Sequence, residues 1–120
     1  MLRRLTGRRA ERRAERFLAR DGLRTVDRNW HCRHGEIDLV MRDRDTLVFV
    51  EVRLRTPHGF AAGAESVDAR KQRRLLQAAA RYLADHPGWH DAPCRFDVVA
   101  IAGDDGTIEW IRNAFDADGW

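Results

Sequence analysis

The sequence predicts a single α/β domain spanning residues 1–120, with its elements in the order α-β-β-β-α-β-β. Three observations favour this fold class. Two segments have apolar residues at helical spacing, a polar turn joins two runs rich in β-branched and aromatic residues, and another such run follows the second helical segment. A chain of 120 residues forms one ordinary core and is too short for two domains of usual size.

The first helix is expected to begin at Thr6 or Gly7 and to end at Gly22, a residue suited to a helix C-terminus. Its apolar positions recur at helical spacing and predict one buried stripe: Ala10, Ala14, Phe17 and Leu18. Arginines occupy most of the polar arc: Arg8, Arg9, Arg12, Arg13, Arg16 and Arg20.

Three strands are expected next. Leu23–Asn29 is predicted to be the first, and His31–His34 is the expected connection to the second. The runs Glu36–Met41 and Thr46–Arg55, joined by the polar turn Arg42–Asp45, predict a β-hairpin.

Side-chain alternation along this hairpin predicts which residues share a face. Glu36 and Asp38 share one face of their strand, and Glu51 and Arg53 share a face with Phe49. The apolar residues expected beneath the first helix are Ile37, Leu39, Val48, Val50 and Val52. In that register Asp38 and Glu51 emerge on the same side, in a geometry suited to one metal ion.

A flexible crossover is expected over Thr56–Glu65, followed by a second helix from about Ser66 to Asp85. The strand Arg95–Ile101 is therefore reached through a helix, which predicts that it runs parallel to its sheet neighbour. A turn at residues 103–106 leads to an expected edge strand, Ile108–Ile111.

Charge is unevenly distributed, although the net charge is only +3. Residues 1–35 carry 11 Arg against four acids, a balance of about +7, and the remainder has 11 basic and 15 acidic residues, a balance of −4. A basic amino-terminal third beside an acidic centre suits a protein that holds phosphates and collects a divalent cation. A solvated helix face is the alternative, because 21 Arg against a single lysine, Lys71, indicates a compositional bias.

The composition argues against a secreted disulfide scaffold and against a membrane protein. Cys32 and Cys94 are the only cysteines, and no apolar run resembles a signal peptide or a membrane span. We therefore expect a cytoplasmic protein with no membrane partner.

Two acidic residues lie within strands that are otherwise apolar. Asp38 is in the first hairpin strand, and Glu51 follows 13 residues later in the second. Carboxylates are costly to bury alone, so a cation between them is expected, most simply Mg²⁺ or Mn²⁺. Asp, about a dozen residues, then Glu-x-Lys is the spacing of metal-dependent nucleases, in which the carboxylates hold the ion and the lysine orients water. Here Arg53 occupies the third position.

Seven motifs occur in order along the chain: Gly7–Glu11, Arg28–Trp30, Gly35–Val40, Phe49–Arg53, Lys71, Arg95–Val99 and Asn113–Phe115. In sequence and in order they resemble the motifs of the YraN family of small bacterial proteins. That family is uncharacterised and is similar to the Holliday-junction-resolvase branch of the restriction-endonuclease-like nucleases. The resemblance implies a restriction-endonuclease-like mixed β-sheet flanked by helices.

Carried over residue by residue, the resemblance implies that Asp38 and Glu51 are metal ligands and that Glu11 is a helix-borne acid near the ion. Arg53 stands at the position of the active-site lysine, and Lys71 matches a second lysine of the family pattern, so both are candidate catalytic residues. A guanidinium stays protonated, so Arg53 is able to hold a phosphate but not to accept a proton.

Three functions are consistent with these residues, and the third is a protein-interaction domain with an incidental basic face, which predicts little affinity for DNA at low salt. The first is a Mg²⁺- or Mn²⁺-dependent endonuclease that hydrolyses DNA, with branched DNA among the expected substrates. The alternative is a non-catalytic nucleic-acid-binding module on the same fold. In both, the first helix supplies the backbone contacts: Arg8, Arg9, Arg12 and Arg13. A homodimer is a further expectation, because junction-cutting relatives act as pairs.

The remaining candidates have competing structural interpretations. Glu36 is a further candidate acid, although a glutamate at a strand end is usually exposed. Asp97 is expected to pair with Arg95 or with a backbone amide. A zinc site at His31, Cys32 and His34 is disfavoured, because these residues lack the paired spacing of structural zinc sites. The tryptophans are expected in the core rather than stacked on bases: Trp30, Trp89, Trp110 and Trp120.

Overall fold

The computed structural model describes residues 7–55 and 67–116, in which two helices lie on opposite sides of one sheet. The helices are α1 (Gly7–Arg20) and α2 (Ala69–Asp85), and a 3₁₀ turn follows at Pro87–Trp89. The strands are β1 (Arg24–Cys32), β2 (Gly35–Asp43), β3 (Thr46–Arg55), β4 (Cys94–Ala102) and β5 (Ile108–Phe115). This confirms the α/β class and the element order predicted from the sequence.

The strands lie in the sheet in chain order, from β1 to β5. Neighbouring strands are antiparallel except β3 and β4, which are parallel from Leu47 opposite Cys94 to Arg55 opposite Ala102. The parallel pair confirms the prediction, because the chain between these two strands passes through α2. As predicted, β5 is an edge strand.

The ends of both helices follow from local residues. Gly22 has a φ of 95°, and the amide of Leu23 donates to the carbonyl of Leu18 at 3.2 Å, which closes α1 with a Schellman motif. The side chain of Asp68 accepts from the amide of Lys71 at 2.8 Å, so α2 begins at Ala69. The expected start at Ser66 and the crossover Thr56–Glu65 lie outside the described residues, as does Thr6.

Three predicted strand boundaries are wrong, each because a strand continues further. β1 continues to Cys32, so the connection is Arg33–His34 rather than His31–His34. β2 continues to Asp43, which leaves a turn of Arg44 and Asp45. β5 continues past Ile111 to Phe115. In each case polar side chains disfavoured a strand in the sequence, but backbone pairing with the neighbouring strand extends it.

The sheet has an apolar layer on each face. The layer beneath α1 contains Leu39, Met41, Val48 and Val50, with Val52 packed against it. The prediction that Ile37 also lies beneath α1 is wrong, because Ile37 packs on the opposite face in the cluster of Tyr82 from α2. Side-chain alternation along β2 therefore breaks once between residues 37 and 39.

The break in β2 lies opposite an unusual residue of β1. Arg28 and Trp30 pair with Leu39 and Ile37, and Asn29 between them has a φ of 50°. An irregularity of this kind redirects side chains at a sheet. Asp38 lies opposite Asn29 at this irregularity, and Glu36 lies two residues before Asp38.

Candidate active site

Asp38 lies where the pairing of β2 with β3 ends. The last pair is Leu39 with Val50, and continuation of that register would bring Asp38 opposite Glu51. Just beyond the last pair, the amide of Val52 donates to Oδ2 of Asp38 at 2.9 Å. The backbone of β3 therefore fixes the orientation of the Asp38 carboxylate.

Three carboxylates from two elements converge at this point. One oxygen each from Glu11 of α1 and from Glu36 and Asp38 of β2 lie within 4.8 Å of one another. Nδ2 of Asn29 donates to Glu11 at 2.6 Å and to Glu36 at 2.9 Å. The positive φ of Asn29 thus places its amide between the two glutamates.

Glu51 approaches Asp38 from β3 and is almost fully buried, with 5% of its side chain exposed. Its Oε2 lies 3.4 Å from Nζ of Lys71, in the first turn of α2, and 3.5 Å from Nη1 of Arg53. The single lysine of the chain therefore reaches the same carboxylate as the arginine at the expected lysine position.

The surroundings of Asp38 disfavour the negatively charged form of its side chain. Burial, followed by the negative charge of Glu51, raises the pKa of Asp38 to about 8; the bond from Val52 lowers the pKa, and the charge of Glu11 raises it further. A carboxyl group in such surroundings holds a proton at neutral pH or is compensated by a cation. Oxygen ligands of this kind suit hard divalent ions.

A cleft of about 110 Å³ opens beside the carboxylates. Glu11 and Asn29 line it together with two arginines of α1, Arg8 and Arg12. Glu15, on the same flank of α1, is not free: Oε2 of Glu15 lies 2.7 Å from Nη2 of Arg28. Although burial raises the pKa of Glu15, hydrogen bonds from Arg28 and Thr25 outweigh it and hold that pKa below its ordinary value.

The structure therefore brings together Glu11, Asp38, Glu51, Arg53 and Lys71 and adds two residues to them. Glu36 stood only as a further candidate in the sequence, and its position two residues before Asp38 on the same strand was the signal for it. Asn29 was missed. An asparagine within a strand, two residues ahead of a polar turn, is a weak signal, because its positive φ becomes visible only in the fold.

The chain matches the model of the uncharacterised protein family UPF0102 over residues 10–101. It is also 51% identical over 114 residues to a UPF0102 protein of Pseudomonas syringae pv. syringae, an alignment that covers 92% of this chain and 93% of the relative. The chain belongs to the UPF0102 family. This confirms the resemblance to the YraN family drawn from the sequence motifs.

Other members of UPF0102 are equally similar. The relative from Ectopseudomonas mendocina is 52% identical over 112 residues, which cover 92% of this chain and 94% of the relative. The relative from Alcanivorax borkumensis is 50% identical over 113 residues, with 92% of this chain and 90% of the relative covered. The similarity thus extends over nearly the whole sequence, and the range matched by the family model, residues 10–101, contains the positions of the site.

The four arginines expected to contact nucleic acid do not form one surface. Arg8 and Arg12 line the cleft beside the carboxylates, and Arg9 is exposed. Arg13 instead lies over Gly106, in the turn between β4 and β5. The UPF0102 chain therefore carries cations on both flanks of α1.

Asp97 has a structural position rather than a place in the cleft. Its side chain is fully buried and accepts hydrogen bonds from Nε of Arg95, Nε1 of Trp110 and the amide of Asn113, each at 3.0 Å. The predicted pairing with Arg95 and with a backbone amide is confirmed.

The remaining sequence candidates lie away from the carboxylates. Within residues 7–55 and 67–116, the group Glu11, Glu36 and Asp38 is the only one with three metal-ligand atoms so close together, so no zinc cluster forms at His31, Cys32 and His34. Trp30 packs edge-to-face on Tyr82 at 5.2 Å, and Trp89 and Trp110 are partly buried. Trp120 lies outside the described residues.

Neither described helix combines the length and apolar character that a bilayer crossing requires.

Proposed function

We propose that this protein is a divalent-metal-dependent nuclease that hydrolyses phosphodiester bonds in DNA, with branched DNA among its substrates. The observation that carries the proposal is the convergence of Glu11, Glu36 and Asp38 within 4.8 Å, beside a cleft lined by arginines. Carboxylates alone make a cation site, and arginines alone make a phosphate site. Carboxylates that converge beside an arginine-lined cleft fit a phosphodiester substrate.

The donor set fits Mg²⁺ or Mn²⁺. All the candidate ligands are carboxylate oxygens, which these hard cations prefer, and sulfur and imidazole are absent from the group. Asn29 orients two of the carboxylates from behind, as outer-shell hydrogen bonds do at metal sites. The sequence interpretation named Asp38 and Glu51 as ligands; Glu11 and Glu36 join them in the proposal.

The chemistry of the site divides among the surrounding residues. A divalent cation supplies Lewis-acid polarisation of a phosphoryl oxygen and makes water more acidic. Arg8 and Arg12 bind and orient the substrate phosphates from one side of the cleft. Arg53 steadies the scissile phosphate, because its guanidinium donates to two oxygens at once.

Lys71 takes the role that a lysine at position 53 would have. Its Nζ is 3.4 Å from Glu51, so α2 delivers an ammonium group to the carboxylate that β3 shares with Arg53. A lysine exchanges protons with water far more readily than an arginine does. Arg53 therefore does not by itself argue against hydrolysis.

A second candidate function is a nucleic-acid-binding module without catalysis. Arg53 favours it, since a guanidinium holds a phosphate and does not accept a proton. The same cleft would then bind the backbone, and the carboxylates would hold a structural cation.

A cleavage assay distinguishes the two functions. Supercoiled, linear and four-way-junction DNA are incubated with the full chain and Mn²⁺, beside Asp38→Asn and the matched control Asp85→Asn, whose carboxylate pairs with Arg81 on the exposed face of α2. We expect metal-dependent nicking by the wild type and by Asp85→Asn, and loss of nicking in Asp38→Asn. DNA binding without nicking in any metal would favour the module, and nicking that survives in Asp38→Asn would overturn the proposed site.

A further inference from the structure

A second cationic groove runs along the flank of α1 that faces away from the carboxylates. It has a volume of about 380 Å³ and lies between α1 and the segment that leads into β5. Six residues line it: Arg13, Arg16, Phe17, Arg20, Gly106 and Ile108. Among residues 7–55 and 67–116, the lining of the groove therefore has three cations, an apolar floor and no acidic residue.

Helical spacing places the arginines and the glutamates of α1 on different flanks of the helix. Arg13, Arg16 and Arg20 follow the spacing i, i+3, i+7 and form one stripe. Glu11 and Glu15 follow i, i+4 and form another, which faces Asp38 and Arg28. The groove is thus a surface distinct from the candidate active site.

The position of the Arg13 side chain depends on Gly106. Gly106 has a φ of 72°, and a Cβ atom there would overlap the guanidinium of Arg13. Glycine therefore lets the guanidinium lie directly on the turn. Phe17, in the floor of the groove, packs edge-to-face on Trp110 with ring centroids 6.3 Å apart.

No salt bridge among the described residues engages the arginines of the groove, although Glu15 interacts electrostatically with Arg16. Within the part of the chain that the structure describes, Arg13, Arg16 and Arg20 make no ion pair, whereas Arg28, Arg95 and Arg112 all do. The turn at residues 103–106 contains two acids, whose carboxylates keep their charge and bond to backbone amides of the same turn rather than to the arginines of the groove. Asp104 accepts from the amide of Asp105 at 2.8 Å, and Asp105 accepts from the amide of Thr107 at 3.0 Å.

We propose that this groove binds a phosphodiester strand on a track separate from the candidate active site, so that nucleic acid contacts both flanks of α1. Arginine forks match phosphate oxygens bidentately, and the apolar floor suits the sugar and base edges of a strand better than it suits a bare anion. From Arg13 to Arg20 the helix advances about 10 Å, which is close to the axial span of three nucleotides in one strand of a B-form duplex. This inference rests on the proposed function only in taking the ligand to be nucleic acid.

The test measures binding of the full chain to a linear DNA duplex, without divalent metal, over a range of salt concentrations. The variant Arg16→Gln/Arg20→Gln removes two groove cations. The control Arg73→Gln/Arg74→Gln removes two exposed arginines of α2, which packs on the opposite face of the sheet from α1. The third variant, Arg8→Gln/Arg12→Gln, removes the cations of the active-site cleft.

We expect Arg16→Gln/Arg20→Gln to weaken duplex binding by at least about tenfold near 0.1 M salt and to lower the salt slope by about two phosphate contacts. The control should retain wild-type affinity. If the two tracks are used together, the quadruple variant at positions 8, 12, 16 and 20 should lose the product of the two fold-changes.

Three results would overturn the inference, and each is distinguishable. If Arg16→Gln/Arg20→Gln binds duplex as tightly as the wild type does, the groove is not a binding site for nucleic acid, and the proposed function is unaffected. If the groove variant and the control lose the same affinity for duplex, the weakening would come from the lower net charge and not from the groove. If the wild type binds inorganic polyphosphate but no DNA, both the nucleic-acid groove and the proposed function fail.

Discussion

At the scale of single residues, Lys71 and Arg53 both contact Glu51, and a substitution at each position separates their roles. We expect Lys71→Met to lower metal-dependent nicking by roughly 100-fold while DNA affinity changes little, because a proton-exchanging group is lost and a phosphate contact is not. Arg53→Lys should retain nicking. The measurement is single-turnover cleavage, with Arg70→Met, an exposed neighbour on α2, as the matched control. Wild-type nicking by Lys71→Met would show that this ammonium group takes no part.

Asp38 also predicts a pH dependence of stability. Burial and the charge of Glu51 raise the pKa of Asp38 to about 8 in the folded protein, whereas an unperturbed aspartate titrates near about 3.9. Between these values the folded state holds a proton that the unfolded chain has lost. The metal-free protein should therefore lose free energy of unfolding as the pH rises from about 4 to about 8, by at most about 1.4 kcal/mol per pH unit.

Urea unfolding of wild type and Asp38→Asn across this pH range isolates the effect of Asp38, because the variant carries no titrating group at position 38. The difference in free energy of unfolding between the two proteins should shift in favour of the variant as the pH increases. A difference that stays constant with pH would mean that Asp38 has an ordinary pKa in the fold.

At the scale of elements, Asp97 holds an irregular part of β5 against β4. Pairing skips from Phe96 with Phe115 to Val98 with Ile111, and Asn113 within the skipped segment has a φ of 50°. Asp97→Ala leaves two partly buried donors, the amide of Asn113 and Nε1 of Trp110, without their acceptor, and Arg95 keeps only its ion pair with Asp43. We expect a loss of about 3–5 kcal/mol in the free energy of unfolding.

Denaturant unfolding checks this value against Asp21→Ala, which breaks an exposed ion pair with Arg112 and should cost less than about 1 kcal/mol. Equal losses in the two variants would contradict the structural role of Asp97. The candidate active site lies outside these bonds, so any nicking per folded molecule should be unchanged in Asp97→Ala.

The sequence predicted the elements well, because each was supported by a local rule. Gly22 predicted the end of α1, the apolar run of β4 after a helix predicted a parallel pair, and the hairpin of β2 with β3 followed from its two runs and polar turn. Boundaries were less predictable. Edge strands such as β5 extend through polar residues by backbone pairing, and polar side chains give no sign of it.

The sequence predicted only part of the candidate site, because the rest depends on how the strands pair. Side-chain alternation correctly predicted that Phe49 and Val48 lie on opposite faces of the sheet. The same rule put Ile37 on the wrong face, because it assumes that alternation along β2 is unbroken. The break opposite Asn29 depends on the pairing of β1 with β2, which is a tertiary feature. That feature explains why Glu36 joins Glu11 and why Asn29 escaped notice.

At the scale of the whole molecule, the candidate site is assembled from elements distant in the chain. Glu11 comes from α1, Asp38 from β2, Glu51 from β3 and Lys71 from α2. The carboxylates converge only when α1 is packed on the paired strands β2 and β3, and Lys71 reaches them only when α2 is packed on the other face. A cation held by these carboxylates would therefore be coupled to folding of the whole domain rather than to the order of one loop.

This coupling predicts that a divalent cation stabilises the entire domain. At a free Mn²⁺ concentration of about 100 times Kd, the free energy of unfolding should rise by about 2.7 kcal/mol, because the ion binds the folded state and not the separated strands. Addition of a chelator should reverse the increase. Denaturant unfolding followed by tryptophan fluorescence measures it, and Asp38→Asn should show little or no increase, whereas Asp85→Asn should match the wild type. An equal increase in Asp38→Asn would place the ion elsewhere, since that variant lacks the carboxylate between the glutamates of α1 and β2 and the buried glutamate of β3.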